Sequence, residues 1–182
     1  MDTVAVIDFE TTGISPDAGA RATEIAAVLV RDGRVVGRYQ SLMNAGAWVP
    51  PFIEQLTGIT NEMVRAAPPA AKVMREVADF VGAHPMVAHN ASFDCRFWDA
   101  ELGRIRRARV QAFACTMLLA RRIYPEAPNH KLGTLVEFAG LPVAGRHHRA
   151  LADAEMAASL LLKLEQELER RFGLGPITHE LL

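Results

Sequence analysis

Apolar residues follow two rhythms along this chain, and the change falls near Ala70. Before it the apolar runs are β-branched: Thr3 to Glu10, Ala22 to Val30 and Val35 to Met43. The last two flank Arg31-Asp32-Gly33-Arg34, whose Asp-Gly step signals a hairpin, so three antiparallel strands are predicted. Pro50-Pro51 and Pro68-Pro69 bracket an irregular, partly helical stretch that contains Leu56-Thr57-Gly58-Ile59-Thr60. From Ala70 the spacing turns helical: Val73, Val77, Phe80 and Val81 recur behind two prolines placed to open the helix. A short strand over Met86 to Ala88 comes next, then a helix carrying Phe93, Phe97 and Leu102, with Ser92 as its expected N-cap. Gln111 to Ala114 reads as a fifth strand, and helices are expected near Thr116 to Tyr124 and Leu132 to Ala139. The last helix, from about Ala150 to Phe172, has Ala154, Ala157, Leu161, Leu164 and Leu168 on one stripe; Gly173, Gly175 and Pro176 end it. That stripe is a core face, too short for a coiled coil. Antiparallel strands first, then alternating helices and strands, predict an α/β fold with a mixed sheet. Residues 1–172 read as one domain and 173–182 as a short tail.

Composition narrows the class. Of 182 residues half are apolar, and no stretch reaches transmembrane length, so a soluble protein with no membrane partner is expected. The N-terminal MDTVAVIDFE lacks a basic segment and a small-residue cleavage site and does not read as a signal peptide. Two cysteines, Cys95 and Cys115, are too few for a disulfide framework or a thiolate metal site, which makes the cytoplasm the expected compartment. A net charge of −1 argues against a broad footprint on duplex DNA. The positive charge is mostly Arg, clustered at Arg104 to Arg109, at Arg121-Arg122 and around Arg146 to Arg149. Arg suits bidentate phosphate contacts, although a solvated surface is the expected role of Arg104 to Arg109. A locally basic site on a near-neutral protein fits a small or single-stranded substrate.

The candidate chemistry begins where the first strand ends. Asp8 and Glu10 alternate onto one face, in line with Val4 and Val6, and two adjacent anions need a cation or a shared proton. A hard divalent ion such as Mg²⁺ or Mn²⁺ meets that need; a strand running out into solvent is the plainer alternative. Asp94 and Asp153 each sit in the first turn of a helix, where the helix dipole alone would favour an acid. In open α/β sheets such strand ends and helix starts gather into one crevice. His148, five residues before Asp153, could take a proton from water, with His147 beside it as a rival. His89 and Asn90, directly after a strand, offer donors to a phosphate or a base, while a loop-stabilising role is equally ordinary for Asn90. His84 and His179 read as surface histidines.

Three segments carry a resemblance. Asp8-Phe9-Glu10-Thr11-Thr12-Gly13, His89-Asn90-Ala91-Ser92-Phe93-Asp94 and His148-Arg149-Ala150-Leu151-Ala152-Asp153 resemble the three motifs of the DEDDh 3′–5′ exonucleases. Within that family the chain is similar to the epsilon proofreading subunits of bacterial DNA polymerase III. Leu56-Thr57-Gly58-Ile59-Thr60 and His130-Lys131-Leu132 look like further landmarks, and the likeness runs from Val4 to about Leu168. The tyrosine branch of the superfamily would place its tyrosine at Arg149, whereas the histidine position is filled by His148; this favours the histidine branch.

The resemblance implies a ribonuclease H-like fold of five mixed strands flanked by helices, and two divalent cations at the scissile phosphate. Asp8 would bridge both ions, Glu10 and Asp153 would complete the nucleophile side, and Asp94 would hold the second ion directly or through water. His148 would be the general base, and nucleoside 5′-monophosphates would leave from DNA 3′ ends. Thr11, Thr12 and Gly13 would receive the terminal sugar and phosphate. Leu56 would wedge against the last bases, with Thr57 and Ile59 close by. His89, Asn90 and Phe93 would line the track of the strand, although packing on Phe97 is an equal alternative for Phe93. An RNA exonuclease of the ribonuclease T or oligoribonuclease type stays open. A non-catalytic nucleic-acid-binding or polymerase-docking module would ordinarily lack one of the five residues. The sequence ends soon after the last predicted helix, without the long tail by which the polymerase III subunit binds its polymerase, so stand-alone action and polymerase partnership both remain open.

Overall fold

The computed structural model describes residues 3–143, 148–175 and 178–181. Arg146 and His147 therefore lie outside the described residues, as does the sequence-level choice between His147 and His148 in so far as it needs His147's position. Five strands form one sheet in the order β3-β2-β1-β4-β5: β1 (Val4–Thr11), β2 (Ala22–Arg31), β3 (Arg34–Leu42), β4 (Met86–Ala88) and β5 (Phe113–Cys115). β1 pairs antiparallel with β2, and β2 with β3, while β1, β4 and β5 run parallel. The hairpin turns at Asp32 and Gly33, both at positive φ (50° and 72°), as the tight Asp-Gly turn requires.

The helices are α1 (Pro51–Thr57), α2 (Asn61–Ala66), α3 (Ala70–Val81), α4 (Ala91–Arg104), α5 (Thr116–Ile123), α6 (Leu132–Phe138) and α7 (Ala150–Phe172). One face of the sheet, carrying Ala5, Ile7 and Phe9 of β1, packs on Val73, Val77 and Val81 of α3 and on Phe97 and Trp98 of α4. The other face, with Val6, Ala26 and Val28, packs on Ala150, Ala154, Ala157 and Leu161 of α7. Small residues there let α7 lie close against the sheet, and α5 and α6 then cover its outer side through Leu119, Ile123, Leu135, Leu160 and Leu164. The expected core stripe of the last helix is thus buried along its length. None of the helices among the described residues is long and apolar enough to cross a membrane.

Two expectations shift. The N-cap of α4 is Asn90, not Ser92: the helix starts two residues earlier because Asn90 takes a left-handed conformation (φ 66°), which Asn tolerates better than most residues. The fifth strand is Phe113–Cys115, displaced from Gln111 to Ala114, because the parallel register sets Ala88 against Cys115. Since β1, β4 and β5 run parallel, their C-terminal ends share one edge, and the start of α7 comes to the same place.

Candidate active site

β1 delivers Asp8 and Glu10 to that edge on the α7 side of the sheet, the side of Val6. Asp153 arrives from the first turn of α7. Glu10, His148 and Asp153 offer ligand atoms that all lie within 4.8 Å of one another. His148 sits in the left-handed region (φ 61°), and its backbone N–H donates to Asp153 Oδ2 at 2.9 Å. The acid therefore fixes the turn that presents the imidazole, whose side chain stays exposed.

Asp94 is placed differently. β4 has ended by the level of Phe9, and the Phe9 N–H donates instead to Asp94 Oδ1 at 3.1 Å. Asp94 is almost wholly buried and lines neither of the crevices described below. Its charge still acts on the site. Burial, then Asp94, Glu10, Asp153 and Glu24, push Asp8 well above the usual carboxylate range. Burial first, then Asp153 and Glu24, raise Glu10 to about 8, and burial raises Asp94 to about 8 against the opposing pull of the Phe9 N–H. Carboxylates held this close cannot all ionise without a cation. An all-oxygen donor set with one imidazole at its rim suits a hard divalent ion, not a thiolate-seeking one.

Two crevices meet at Asp8, His148 and Asp153. One is apolar, walled by Ile14, Ile53, Leu56, Thr57 and Phe93, with Thr11 and Gly13 at its base. Leu56 and Ile14 are exposed on its rim, and Phe93 packs against Phe97 at a tilt of 48° (ring centroids 4.9 Å apart) while lining the crevice, so packing and access coexist. The other, here the polar crevice, holds Asn90, Arg121, Asn129, His130 and Lys131 beside the apolar Met117 and Leu132. Asn90 and Phe93, expected along one track, are thus divided between the two.

Several hydroxyls and rings have partners inside the protein. Thr11 Oγ1 donates to the Gly13 carbonyl at 2.6 Å. Thr12 Oγ1 accepts the Arg21 N–H at 3.0 Å, and Thr12 stands outside both linings. Thr57 Oγ1 donates to the Ile53 carbonyl and accepts the Ile59 N–H. His89 joins Thr116 Oγ1 (2.9 Å) to the His130 carbonyl (3.0 Å), so both ring nitrogens are engaged, and burial lowers its pKa. His89 lines the polar crevice, and with both nitrogens engaged it also braces two loops.

Sequence reasoning missed Glu24. This fully buried β2 residue lies opposite Glu10 in the register and accepts from Arg149, from the Ala150 N–H and from Gln40. The signal was present: a carboxylate amid Thr23, Ile25 and Ala26 breaks an apolar run just as Asp8 does. Glu101 was missed as well; it grips Arg21 through both carboxylate oxygens (2.8 and 2.9 Å) and so braces the loop after β1. His179, expected at the surface, bonds the Met86 carbonyl at 2.9 Å and is half-buried.

A sequence model described as "Exonuclease" matches residues 5–161, which span all three acidic segments. The chain belongs to this exonuclease family. The DNA polymerase III epsilon subunit of Aquifex aeolicus is 32% identical over 174 residues, covering 95% of this chain and 85% of that one. A PolC-type DNA polymerase III of Oceanobacillus iheyensis is 39% identical over 168 residues, which are 92% of this chain but 12% of the polymerase. The chain thus spans only about an eighth of the length of that large relative. Among solved structures, exonuclease X in complex with 5′-overhanging duplex DNA is 30% identical with a TM-score of 0.77, over 98% of this chain and 96% of that one. Exonuclease I of E. coli with a dT13 oligonucleotide, at 19% identity and a TM-score of 0.81, shares the fold over 95% of this chain and 43% of its own.

Proposed function

We propose that this exonuclease-family chain hydrolyses the 3′-terminal phosphodiester of single-stranded or frayed DNA, with divalent cations, and releases nucleoside 5′-monophosphates. The observation that carries the reading is the gathering of Asp8, Glu10, Asp94 and Asp153 from three distant segments, with burial raising Asp94 to about 8 and burial together with Asp153 and Glu24 raising Glu10 to about 8. Mg²⁺ or Mn²⁺ would be held by Asp8 together with Glu10 and Asp153 on one side and with Asp94 on the other. When bound, such ions polarise the phosphate and neutralise charge developing on the leaving oxygen. His148, exposed at the junction of the crevices, accepts the proton of the attacking water as general base. The bond from water to phosphorus forms as the bond from phosphorus to the O3′ of the preceding nucleotide breaks. The apolar crevice suits the terminal nucleoside, which stacks on Phe93 and Leu56 without base preference.

Similarity to an epsilon subunit and to a polymerase that carries its own exonuclease segment supports proofreading beside a DNA polymerase. The test is digestion of 3′-labelled single-stranded DNA, mismatched duplex and RNA oligomers, with and without Mg²⁺, Mn²⁺ or chelator. Metal-dependent release of 5′-mononucleotides from DNA is expected. Products other than 5′-mononucleotides would overturn the mechanism, and faster loss of RNA would reassign the substrate to the ribonuclease T type.

A further inference from the structure

The polar crevice has no part in the chemistry above, yet it opens from the same acids. Its volume is about 740 Å³ against about 260 Å³ for the apolar one, room for a strand that runs on past the cleaved bond. Among the described residues its acids are Asp8 and Asp153 at the junction, and its outer wall carries Arg121 of α5 and Lys131 at the start of α6. The Arg121 guanidinium meets the Met117 thioether at 4.0 Å, and neither it nor Lys131 forms an ion pair among the described residues. Arginines on the far side differ: Arg107 pairs with Asp79 (2.7 Å) and Arg109 with Asp99 (2.8 Å). The wall is also held in place. His89 ties the His130 carbonyl to Thr116, the His130 ring bonds the Tyr124 carbonyl at 3.1 Å, and Asn129 Oδ1 accepts the Lys131 N–H at 2.9 Å.

The two crevices thus differ in chemistry as the two sides of a terminal phosphodiester do. A nucleoside fits the apolar side; a polyanion fits cations without acidic partners, and it would need them beside four carboxylates. We propose that the polar crevice binds the backbone of the retained strand, with Arg121 and Lys131 holding the first phosphate beyond the scissile one. This rests on the exonuclease reading and adds a polarity: the 3′-terminal nucleoside lies towards α1 and the strand leaves towards α5 and α6.

The experiment is a cycle of two changes. One is in the substrate, a thymidine trinucleotide whose 5′-side linkage is either phosphate or neutral methylphosphonate. The other is in the protein, Arg121→Gln with Lys131→Met, both exposed side chains, with circular dichroism to check that the variant is folded as the wild type is. Release of the 3′-terminal nucleotide is followed at varied concentration. For the wild type the methylphosphonate lowers kcat/KM about tenfold, mainly through KM, the worth of charge-assisted hydrogen bonds to one phosphate. In the double variant that penalty disappears, and the all-phosphate trimer is cut no better than the methylphosphonate one. An equal penalty in both proteins overturns the proposal. The p-nitrophenyl ester of thymidine 5′-monophosphate, which ends at the scissile phosphate, separates the two failures: if the wild type does not hydrolyse it with Mg²⁺ or Mn²⁺, the exonuclease reading itself is wrong.

Discussion

Glu24 on β2 grips Arg149 at the start of α7, accepting from Nη2 at 2.8 Å and from Nε at 3.1 Å. The same carboxylate takes the Ala150 N–H at 3.1 Å, so it ties the N-terminus of α7 to the strand beside Glu10. His148 and Asp153 stand on either side of that clamp. Pairing with Arg149 and Ala150 holds Glu24 below the usual glutamate range despite its burial. Glu24→Gln keeps the shape but turns an amide donor towards donors, and Arg149→Lys loses the two-pronged contact. Each is expected to lower kcat about tenfold or more with a smaller change in KM, and Glu24→Gln to cost about 1–3 kcal/mol of stability. Steady-state kinetics at saturating metal and urea unfolding check this; an unchanged kcat would show the clamp to be only structural.

Asp8→Asn should abolish hydrolysis. In chelator it should also melt higher than the wild type, because it removes a carboxylate whose charge is opposed first by burial and then by Asp94, Glu10, Asp153 and Glu24. A rise of about 2–8 °C is expected for a chain of this size. Differential scanning calorimetry in EDTA decides it: a lower melting temperature would show Asp8 to be a stabilising charge.

The pH dependence of stability has a definite sign. Glu10 and Asp94 have folded pKa values near 8, above the ordinary 4.5 and 3.8, so the native state holds protons that the unfolded chain releases. Their contribution is fully present below the unfolded values and is lost as pH rises through about 8. In chelator, stability should therefore fall from about pH 4, where the unfolded chain begins to release these protons, to about pH 8, and level off above that. Mg²⁺ or Mn²⁺ in place of those protons should flatten the profile and bind more tightly as pH rises. Denaturant titrations at several pH values, with and without metal, measure both effects; a metal-free profile that climbs with pH would contradict the assigned shifts.

His148 needs a substitution that respects its backbone. At φ 61° alanine is strained, whereas asparagine accepts the left-handed region. His148→Asn should lower kcat about 10²–10⁴-fold, the usual reach of a general base, with melting close to the wild type. A retained kcat would move the base elsewhere.

Glu101→Ala tests the brace beneath the first motif. Glu101 is almost wholly buried and Arg21 largely so, and removing the acid strands a guanidinium whose third contact is the Ala45 carbonyl. A loss of about 2–4 kcal/mol is expected in urea unfolding. Activity at low temperature should survive better than stability, because Glu101 lines neither crevice.

The strands, the long helices and the acids at their ends were legible in the chain because each rests on local physics. Alternation put Asp8 and Glu10 on the side of Val6, where the fold has them, and the valines of α3 and the stripe of α7 marked their own buried faces. Three short motifs carried the family through residue types alone. Other features existed only once distant segments met. Glu24 and Arg149 are 125 positions apart, and Phe9 and Asp94 are 85 apart, so no local pattern announces either contact. Where β4 stops decided that Asp94 would serve a strand N–H from below the crevice, and the positions of α5 and α6 decided that Arg121 and Lys131 would face the same acids. Local sequence sets which side chains can do the chemistry. Burial, charge shifts and the division of the site into an apolar and a basic side come from long-range packing, because desolvation and Coulomb interaction depend on distances that only the folded chain defines.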